Sequence, residues 1–450
     1  MKLTMLGGGG FRTPLVYRAL LDDVADRRID RVTLYDIDAG RLAAIGHVLD
    51  QLAAGSPTAP AVETTTDLDA ALEGADFVFS AVRVGGLDGR VADERVALDL
   101  GVLGQETTGP GGVAFGLRTI PVAVDIARRV TRLAPDAWVI NFTNPAGMIT
   151  EAMRAVLGDR VIGICDSPMG LAQRAQRALH LDGVDAGIDY AGLNHLGWLQ
   201  GLTVNGADRL PDLVADADAL AGTEEGQLFG ADWIASLGAV PNEYLYYYYF
   251  TRDALAAIVG TAETRGEFLL RQQADFYRAV AELPGSALAT WNRVRVERNA
   301  TYMQETRGAE HARDDADIED GGYERVAVAL MAAIARDEPA ELILNVPNGE
   351  TLPGLPADAV IEVPCAVDSH GPRPRSVSPL PMHGLGLVQQ VKAVERLTIA
   401  AALEGSERMA VEALALHPLV DSVTVARQLL AGYRQRIPSL ATIFSASPKT

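Results

Sequence analysis

The chain opens with MKLTMLGGGGFRTPLVYRALL: an apolar run, four glycines, then apolar residues at helical spacing. This opening limits the possible folds more than any other segment does. It suits a buried strand that turns sharply into a helix, because glycine permits the tight turn and a close approach of backbone. The same alternation then recurs. RVTLYDID reads as a second strand, GRLAAIGHVLDQLAA as a helix, and DFVFSAVRV, residues 76–84, as a third strand. IPVAVDIARRVTRLA reads as a helix, AWVINFTNP as another strand, and VIGIC as a strand-like run that ends at Cys165. Nearly continuous apolar strands that alternate with helices predict an α/β fold with a Rossmann-like, doubly wound parallel sheet.

Beyond residue 165 the pattern changes. IDYAGLNHLGWLQGLTVNG reads as antiparallel strands, helices dominate from 225 to 340, and ELILNVPNGETLPGLPADAVIEVPCAVDS returns to strands. DSHGPRPRSVSPLP suits a long ordered loop or an edge segment, and the helical QQVKAVERLTIAAALEG comes after it. The expected division is a dinucleotide-binding domain over 1–165 and an α+β substrate- and metal-binding domain over 166–450. A chain of 450 residues suits two packed lobes better than one core.

Composition removes several functions. No apolar run is long enough to span a bilayer. Two cysteines cannot build a disulfide framework, which points to a reducing, cytoplasmic setting. A formal net charge of −20 argues against nucleic acid as a partner but leaves local arginines free to hold a small anion.

Gly7, Gly8, Gly9 and Gly10 lie where backbone amides and a helix N-terminus can meet a pyrophosphate. Phe11 and Arg12 come next, and the usual third glycine is replaced by Arg12 or Thr13. Asp36 or Asp38, ending the second strand, suits the ribose hydroxyls of NAD and would repel a 2′-phosphate. Three further strand ends are polar: Arg83-Val-Gly-Gly with Arg90 beyond it, Asn141-Phe-Thr-Asn144-Pro145, and Cys165-Asp166-Ser-Pro168. The segment Gly104–Gly112 (GQETTGPGG) reads as a loop lining the same cleft. Ligands of open parallel sheets bind at such strand ends.

Cys165 and His195 stand thirty residues apart, too far for zinc-finger spacing. By residue type they suit either a catalytic cation with open positions or an inert buried thiol and a satisfied histidine. Tyrosines crowd VPNEYLYYYYF, at 244 and 246–249. A tyrosine base there would need its pKa lowered by positive charge, from a metal or from Arg265, and the alternative is an aromatic core helix.

These segments together resemble glycoside hydrolase family 4, the NAD- and divalent-metal-dependent glycosidases. The resemblance covers nearly the whole chain, through GGGGFRTP, VRVGGLDGRVADER, GVLGQETTGPGGVAFGLRTIP, NFTNPAGMITEA, GICDSP, GLNHLGW, PNEYLYYY and KAVERLTIAAAL. The RVGG and GQETTGPGG context is most similar to the 6-phospho-β-glucosidase branch. It implies a lactate/malate dehydrogenase-like fold and a homodimer or homotetramer. It also implies chemistry outside the two-carboxylate scheme of most glycosidases. NAD would take hydride from sugar C3, a metal, Mn2+ or another divalent cation, on Cys165 and His195 would stabilise the enediolate, and a tyrosine would remove the C2 proton. Tyr244 is the base by its place in the motif, with Tyr247 in reserve. Asn144 would contact sugar hydroxyls and Asn194 would sit beside the metal. Arg83, Arg90 and Arg265 would serve a 6-phosphate or the electrostatics of the cleft.

Two residues depart from the family pattern. Arg12 stands where a small hydroxyl residue is usual, within reach of either a pyrophosphate or a substrate phosphate. Asp166 after the cysteine is more typical of α-glycoside members, where it protonates the leaving oxygen; its plain structural role would be to cap the next helix. The competing readings are therefore a family 4 α-glycosidase or 6-phospho-α-glucosidase, a lactate/malate-type dehydrogenase, and a nucleotide-binding module without catalysis.

Overall fold

In a computed structural model, residues 1–303 and 322–445 are described. Six strands form the parallel part: β1 (Lys2–Leu6), β2 (Arg31–Tyr35), β3 (Ala61–Thr65), β4 (Phe77–Ser80), β5 (Trp138–Asn141) and β6 (Val161–Ile164). Their spatial order is β3-β2-β1-β4-β5-β6, with every neighbouring pair parallel. This is the doubly wound order, with its switch point between β1 and β4. The helices on its two faces include α1 (Thr13–Leu21), α2 (Ala39–Ala53), α3 (Leu68–Leu72), α4 (Gly86–Leu98), α5 (Pro110–Leu133), α6 (Ala146–Leu157) and α7 (Ser167–Ala178). Alternate residues of β4 serve opposite cores: Phe77 and Phe79 pack into one cluster and Val78 into the other. Burial on both faces explains the continuous apolar runs of these strands.

The sheet does not stop where the parallel part ends. The remaining strands are β7 (Gly187–Leu193), β8 (Leu196–Val204), β9 (Ala207–Asp208), β10 (Val240–Pro241), β11 (Ala340–Pro347), β12 (Val360–Asp368) and β13 (Gly371–Pro374). β11 joins β6 antiparallel, and the order continues β11-β12-β7-β8-β10, with β13 on β12 and β9 on β8. Residues 1–164 and the antiparallel part therefore share one sheet. The short edge strand β13 occupies the segment expected to be a loop or an edge.

Several elements differ from the sequence reading. β4 ends at Ser80, not Val84, because the chain leaves the sheet after Ala81 donates to Leu6 and turns at Gly85 (φ 84°) into α4. α5 begins at Pro110, ten residues before the expected start, so Gly111 and Gly112 are helical. β3 was not expected at all; it is a polar edge strand, AVETT.

Candidate active site

Every polar strand end singled out from the sequence lies at the carboxyl edge of the parallel sheet. The glycine loop is held closely there. Gly8 N–H donates to the Tyr35 carbonyl (2.7 Å), and a Cβ on Gly8 would come within 2.7 Å of the Leu34 Cβ and 3.0 Å of the Met5 carbonyl. Gly7 has φ 79°. No larger residue fits this turn without moving backbone. Gly9 N–H donates to Asp36 Oδ2 (3.1 Å), so Asp36 is the acid that faces the loop, and burial pushes its pKa up. Asp38 instead caps α2, accepting from Arg41 N–H (3.0 Å). The Gly10 N–H is turned inward to the Gly7 carbonyl (2.8 Å). Phe11 is core: it packs on Phe276 and Trp291, and its carbonyl accepts from the Trp291 indole (2.9 Å). The tight loop, the N-terminus of α1 and the acid after β2 fit a dinucleotide.

A cavity of about 360 Å³ adjoins this loop. Cys165, immediately after β6, and His195 both line it. His195 sits in the two-residue turn that joins Leu193 of β7 to Leu196 of β8, with φ 62°. That left-handed backbone costs a non-glycine residue about 1–2 kcal/mol, and here the strained residue presents its imidazole to the cavity. Nδ1 lies 3.1 Å from Thr107 Oγ1. Burial lowers its pKa to about 4, so the ring is neutral at neutral pH, as a metal ligand must be. Burial, and next the charge of Glu362, push the Cys165 thiol well above its ordinary value, so a thiolate there needs a cation. Among the described residues no three of His, Cys, Asp and Glu cluster as a metal cage. A thiol and an imidazole lining one cavity fit a cation that leaves positions open for substrate.

Tyr244 stacks on His195 with ring centroids 3.7 Å apart and planes within 6°. Its hydroxyl is 2.9 Å from that of Tyr302, which also donates to Glu243 Oε1 (2.9 Å). Burial first, and Glu243 second, raise the Tyr244 phenol well above its ordinary value. Arg12 and Arg90 carry positive charge close enough to interact with it. Tyr247 is fully buried, its ring 6.2 Å from that of Tyr244, and also reaches the cavity.

Asp166 does not cap α7: it occupies the N-cap position without a side-chain hydrogen bond to the helix. Its Oδ2 lies 4.0 Å from Arg12 Nη1 and its Oδ1 lies 3.8 Å from Cys165 Sγ. The Arg12 guanidinium is held between the rings of Phe142 (5.2 Å) and Tyr323 (5.1 Å). It faces Asp166 across the cavity wall.

The other arginines divide into two kinds. Arg83 and Arg90 share Glu106, at 2.8 and 2.7 Å, and Arg90 also binds Glu94 (2.8 Å). Burial alone would raise Glu106, but the two guanidinium groups overcome it and hold the carboxyl well below its usual range. These two cations are thus already matched by anions. Arg265 donates to Thr301 Oγ1 and to the Arg298 carbonyl, both at 2.7 Å. Arg298 was missed in the sequence. It lines the cavity over the Phe11 ring (5.7 Å), and among the described residues no carboxylate pairs with it. Burial and the charges of Arg12, Arg265, Arg90 and Arg83 all oppose its protonation. A guanidinium does not deprotonate in proteins, so this surplus of positive charge favours an anion.

Asn144 lines the cavity, as do Phe11, Arg12, Arg90, Asp166, Tyr244 and Arg265. Asn194 does not. Its Oδ1 accepts from Ala146 N–H (3.0 Å) and its Nδ2 donates to Glu362 Oε1 (3.2 Å), which fixes both ends of the amide inside the protein. Glu243 and Tyr302 also line the cavity; Glu243 stands inside PNEYLYYY beside Tyr244 but was not singled out, and an isolated tyrosine such as Tyr302 carries no spacing signal.

Comparison with known proteins agrees with this geometry. The sequence model described as "Family 4 glycosyl hydrolase" matches residues 2–181, and "Family 4 glycosyl hydrolase C-terminal domain" matches 190–420. A probable 6-phospho-beta-glucosidase of Bacillus subtilis is 31% identical, with 96% of this chain and 95% of the relative covered. The structure of the 6-phospho-beta glucosidase of Thermotoga maritima with NAD and glucose-6-phosphate superposes with a TM-score of 0.82. That pair is 28% identical, and 98% of this chain and 99% of the other are covered. A 6-phospho-alpha-glucosidase from gut microorganisms, in complex with NAD and Mn2+, gives a TM-score of 0.79 at 26% identity, with 96% and 97% covered. The chain belongs to glycosyl hydrolase family 4.

Proposed function

We propose that this chain hydrolyses 6-phosphoglucosides, with the β-anomer as its substrate, by a redox-assisted elimination and addition. The observation that carries the reading is the convergence on one cavity of Cys165, His195 and Tyr244 with the cations Arg12, Arg265 and Arg298. When bound, NAD+ supplies a hydride acceptor for sugar C3 beside the glycine loop, and a divalent cation such as Mn2+ at Cys165 and His195 supplies Lewis acidity toward the C2 and C3 oxygens.

The protein's own groups do the rest. Gly7 to Gly10 and Asp36 hold the dinucleotide. Arg298 and Arg265 attract the 6-phosphate dianion, for which a planar guanidinium is suited. Asn144 orients the sugar hydroxyls. Tyr244, lying flat on His195, removes the C2 proton; burial holds its phenol protonated, and a cation held by Cys165 and His195 would lower its pKa. Loss of the C2 proton beside a C3 ketone expels the C1 aglycone; water then adds at C1 as C2 regains a proton, and return of the hydride to C3 restores both the sugar and the oxidised cofactor.

A specific observation favours a second reading, a 6-phospho-α-glucosidase. Asp166 is not spent on capping and faces the cavity, where a carboxyl group could protonate the leaving oxygen. The experiment uses aryl α- and β-glucosides with and without the 6-phosphate, with NAD+ and Mn2+ added under reducing conditions. Cleavage confined to the phosphorylated β-glucoside is expected. Cleavage of the phosphorylated α-glucoside alone would establish the second reading. Cleavage of unphosphorylated sugars alone would overturn the phosphate assignment, and cleavage of none would overturn the activity.

A further inference from the structure

Cys165 and His195 belong to strands that are not neighbours: Cys165 lies just after β6, and His195 links β7 to β8. Between β6 and β7 stand β11 and β12. A single row of residues crosses all four strands. Gly163 of β6 is in register with Asn345 of β11, Asn345 with Glu362 of β12, and Glu362 with Gly192 of β7. The row continues to Gly197 of β8. It runs two residues before Cys165 at one end. At the other end it flanks the turn that carries His195.

The centre of this row is polar in a place that excludes water. Glu362, Asn345 and the nearby Tyr190 are all fully buried. Glu362 Oε1 accepts from Asn345 Nδ2 (2.9 Å) and Asn194 Nδ2 (3.2 Å), and Oε2 accepts from Tyr190 Oη (3.2 Å). The orientation of the Asn194 amide is set by backbone: Oδ1 must face the Ala146 N–H, so Nδ2 must face Glu362. Asn345 directs its NH2 to the carboxylate even though its own Oδ1 then has no partner. Glycines open space for these side chains. A Cβ on Gly197 would lie 2.3 Å from Tyr190 Oη, and one on Gly163 would lie 2.7 Å from the Asn345 Cβ.

We infer that Glu362 is a positioning residue for the metal site: through Asn345 and Asn194 it fixes the Cys165 strand relative to the His195 turn. An isolated buried carboxylate is costly, and one that accepts from three side chains which themselves brace the ligands has a reason to be there. Asn194 is the direct link, since it adjoins His195 and also holds Ala146, next to the Asn144–Pro145 turn. The inference rests on the assignment of Cys165 and His195 as metal ligands.

The test is Mn2+ affinity of the purified full chain, read from the electron paramagnetic resonance of free Mn2+, alongside NAD+ affinity read by fluorescence. Glu362→Gln keeps the shape and removes the charge, and Asn194→Ala cuts the link to the turn. Each variant is expected to bind Mn2+ about 10- to 100-fold more weakly, with NAD+ affinity within about twofold of wild type. Wild-type Mn2+ affinity in Asn194→Ala, or an equal loss of Mn2+ and NAD+ affinity in both variants, would overturn the inference. If Glu362→Gln does not fold, Asn194→Ala decides alone. Where the wild type binds Mn2+ and Cys165→Ser does not, a wild-type response of the variants removes the role of Glu362 and leaves the metal assignment standing. A wild type that binds no Mn2+ removes both.

Discussion

At the scale of single residues, burial sets the chemistry. His195 and His417 are both held neutral in the fold, with pKa values pushed down by burial to about 4 and about 3 from an ordinary 6.5. Between pH 6.5 and those values the unfolded chain takes up protons that the folded chain does not. Stability is therefore fully present above pH 6.5 and is lost as the pH falls through that interval. His417 accepts the Leu419 N–H at Nδ1 (3.1 Å), a bond that an asparagine oxygen can also accept. His417→Asn should therefore show a smaller drop in the urea midpoint between about pH 7 and about pH 5 than the wild type does. An equal drop would contradict the neutral state of His417. The residues that sequence reading found share a property: each stands in a local motif. The glycines, Asp36, Asn144, Cys165, Asp166, His195 and Tyr244 all do. Arg298 and Glu362 stand in ordinary helix and strand sequence, and only the fold brings them to the site.

At the scale of elements, the buried pair Asp93–Arg118 clamps α4 to α5. The two guanidinium nitrogens donate to the two carboxylate oxygens at 2.7 and 2.6 Å, with both side chains fully buried. Arg118 Nε donates to the Val84 carbonyl, so the pair also secures the turn that carries Arg83. Gly85 and Gly89 leave room for it: a Cβ on either would lie 3.2 or 3.1 Å from the guanidinium. Asp93→Asn leaves a buried cation without its counter-charge and should destabilise the protein by about 3–5 kcal/mol. Chemical denaturation measures this, and a loss under about 1 kcal/mol, the range of an exposed pair, would contradict the account. The elements that were legible show one clear period. β1, β2 and β5 are short apolar runs with turn signals, and β7, β8, β11 and β12 were likewise visible. α5 was half legible because its first eleven residues are all buried and show no amphipathic stripe, while Pro121 mimics a helix start. β3 is polar and mostly exposed, so it has no apolar pattern to read.

At the scale of the whole molecule, the two halves are joined by a continuous sheet, and the site is assembled across the join. The glycine loop, Asp36 and Cys165 come from the parallel part; His195, Tyr244, Arg265 and Arg298 come from the second half of the chain's architecture, beyond α7. On the proposed function, this join would bring cofactor, cation and base to one sugar ring. The doubly wound fold was legible from the alternation of strands and helices. The join at β6–β11 was not, because antiparallel partners 180 residues apart in sequence leave no local trace. On the proposed function, Tyr244 removes the C2 proton of the sugar during cleavage. The direct measurement is nuclear magnetic resonance of the sugar phosphate released from an aryl 6-phosphoglucoside in deuterium oxide, with NAD+ and Mn2+ present. One deuterium at C2 of the product is predicted, and its loss in Tyr244→Phe along with turnover. A product that retains full protium at C2 would contradict the account.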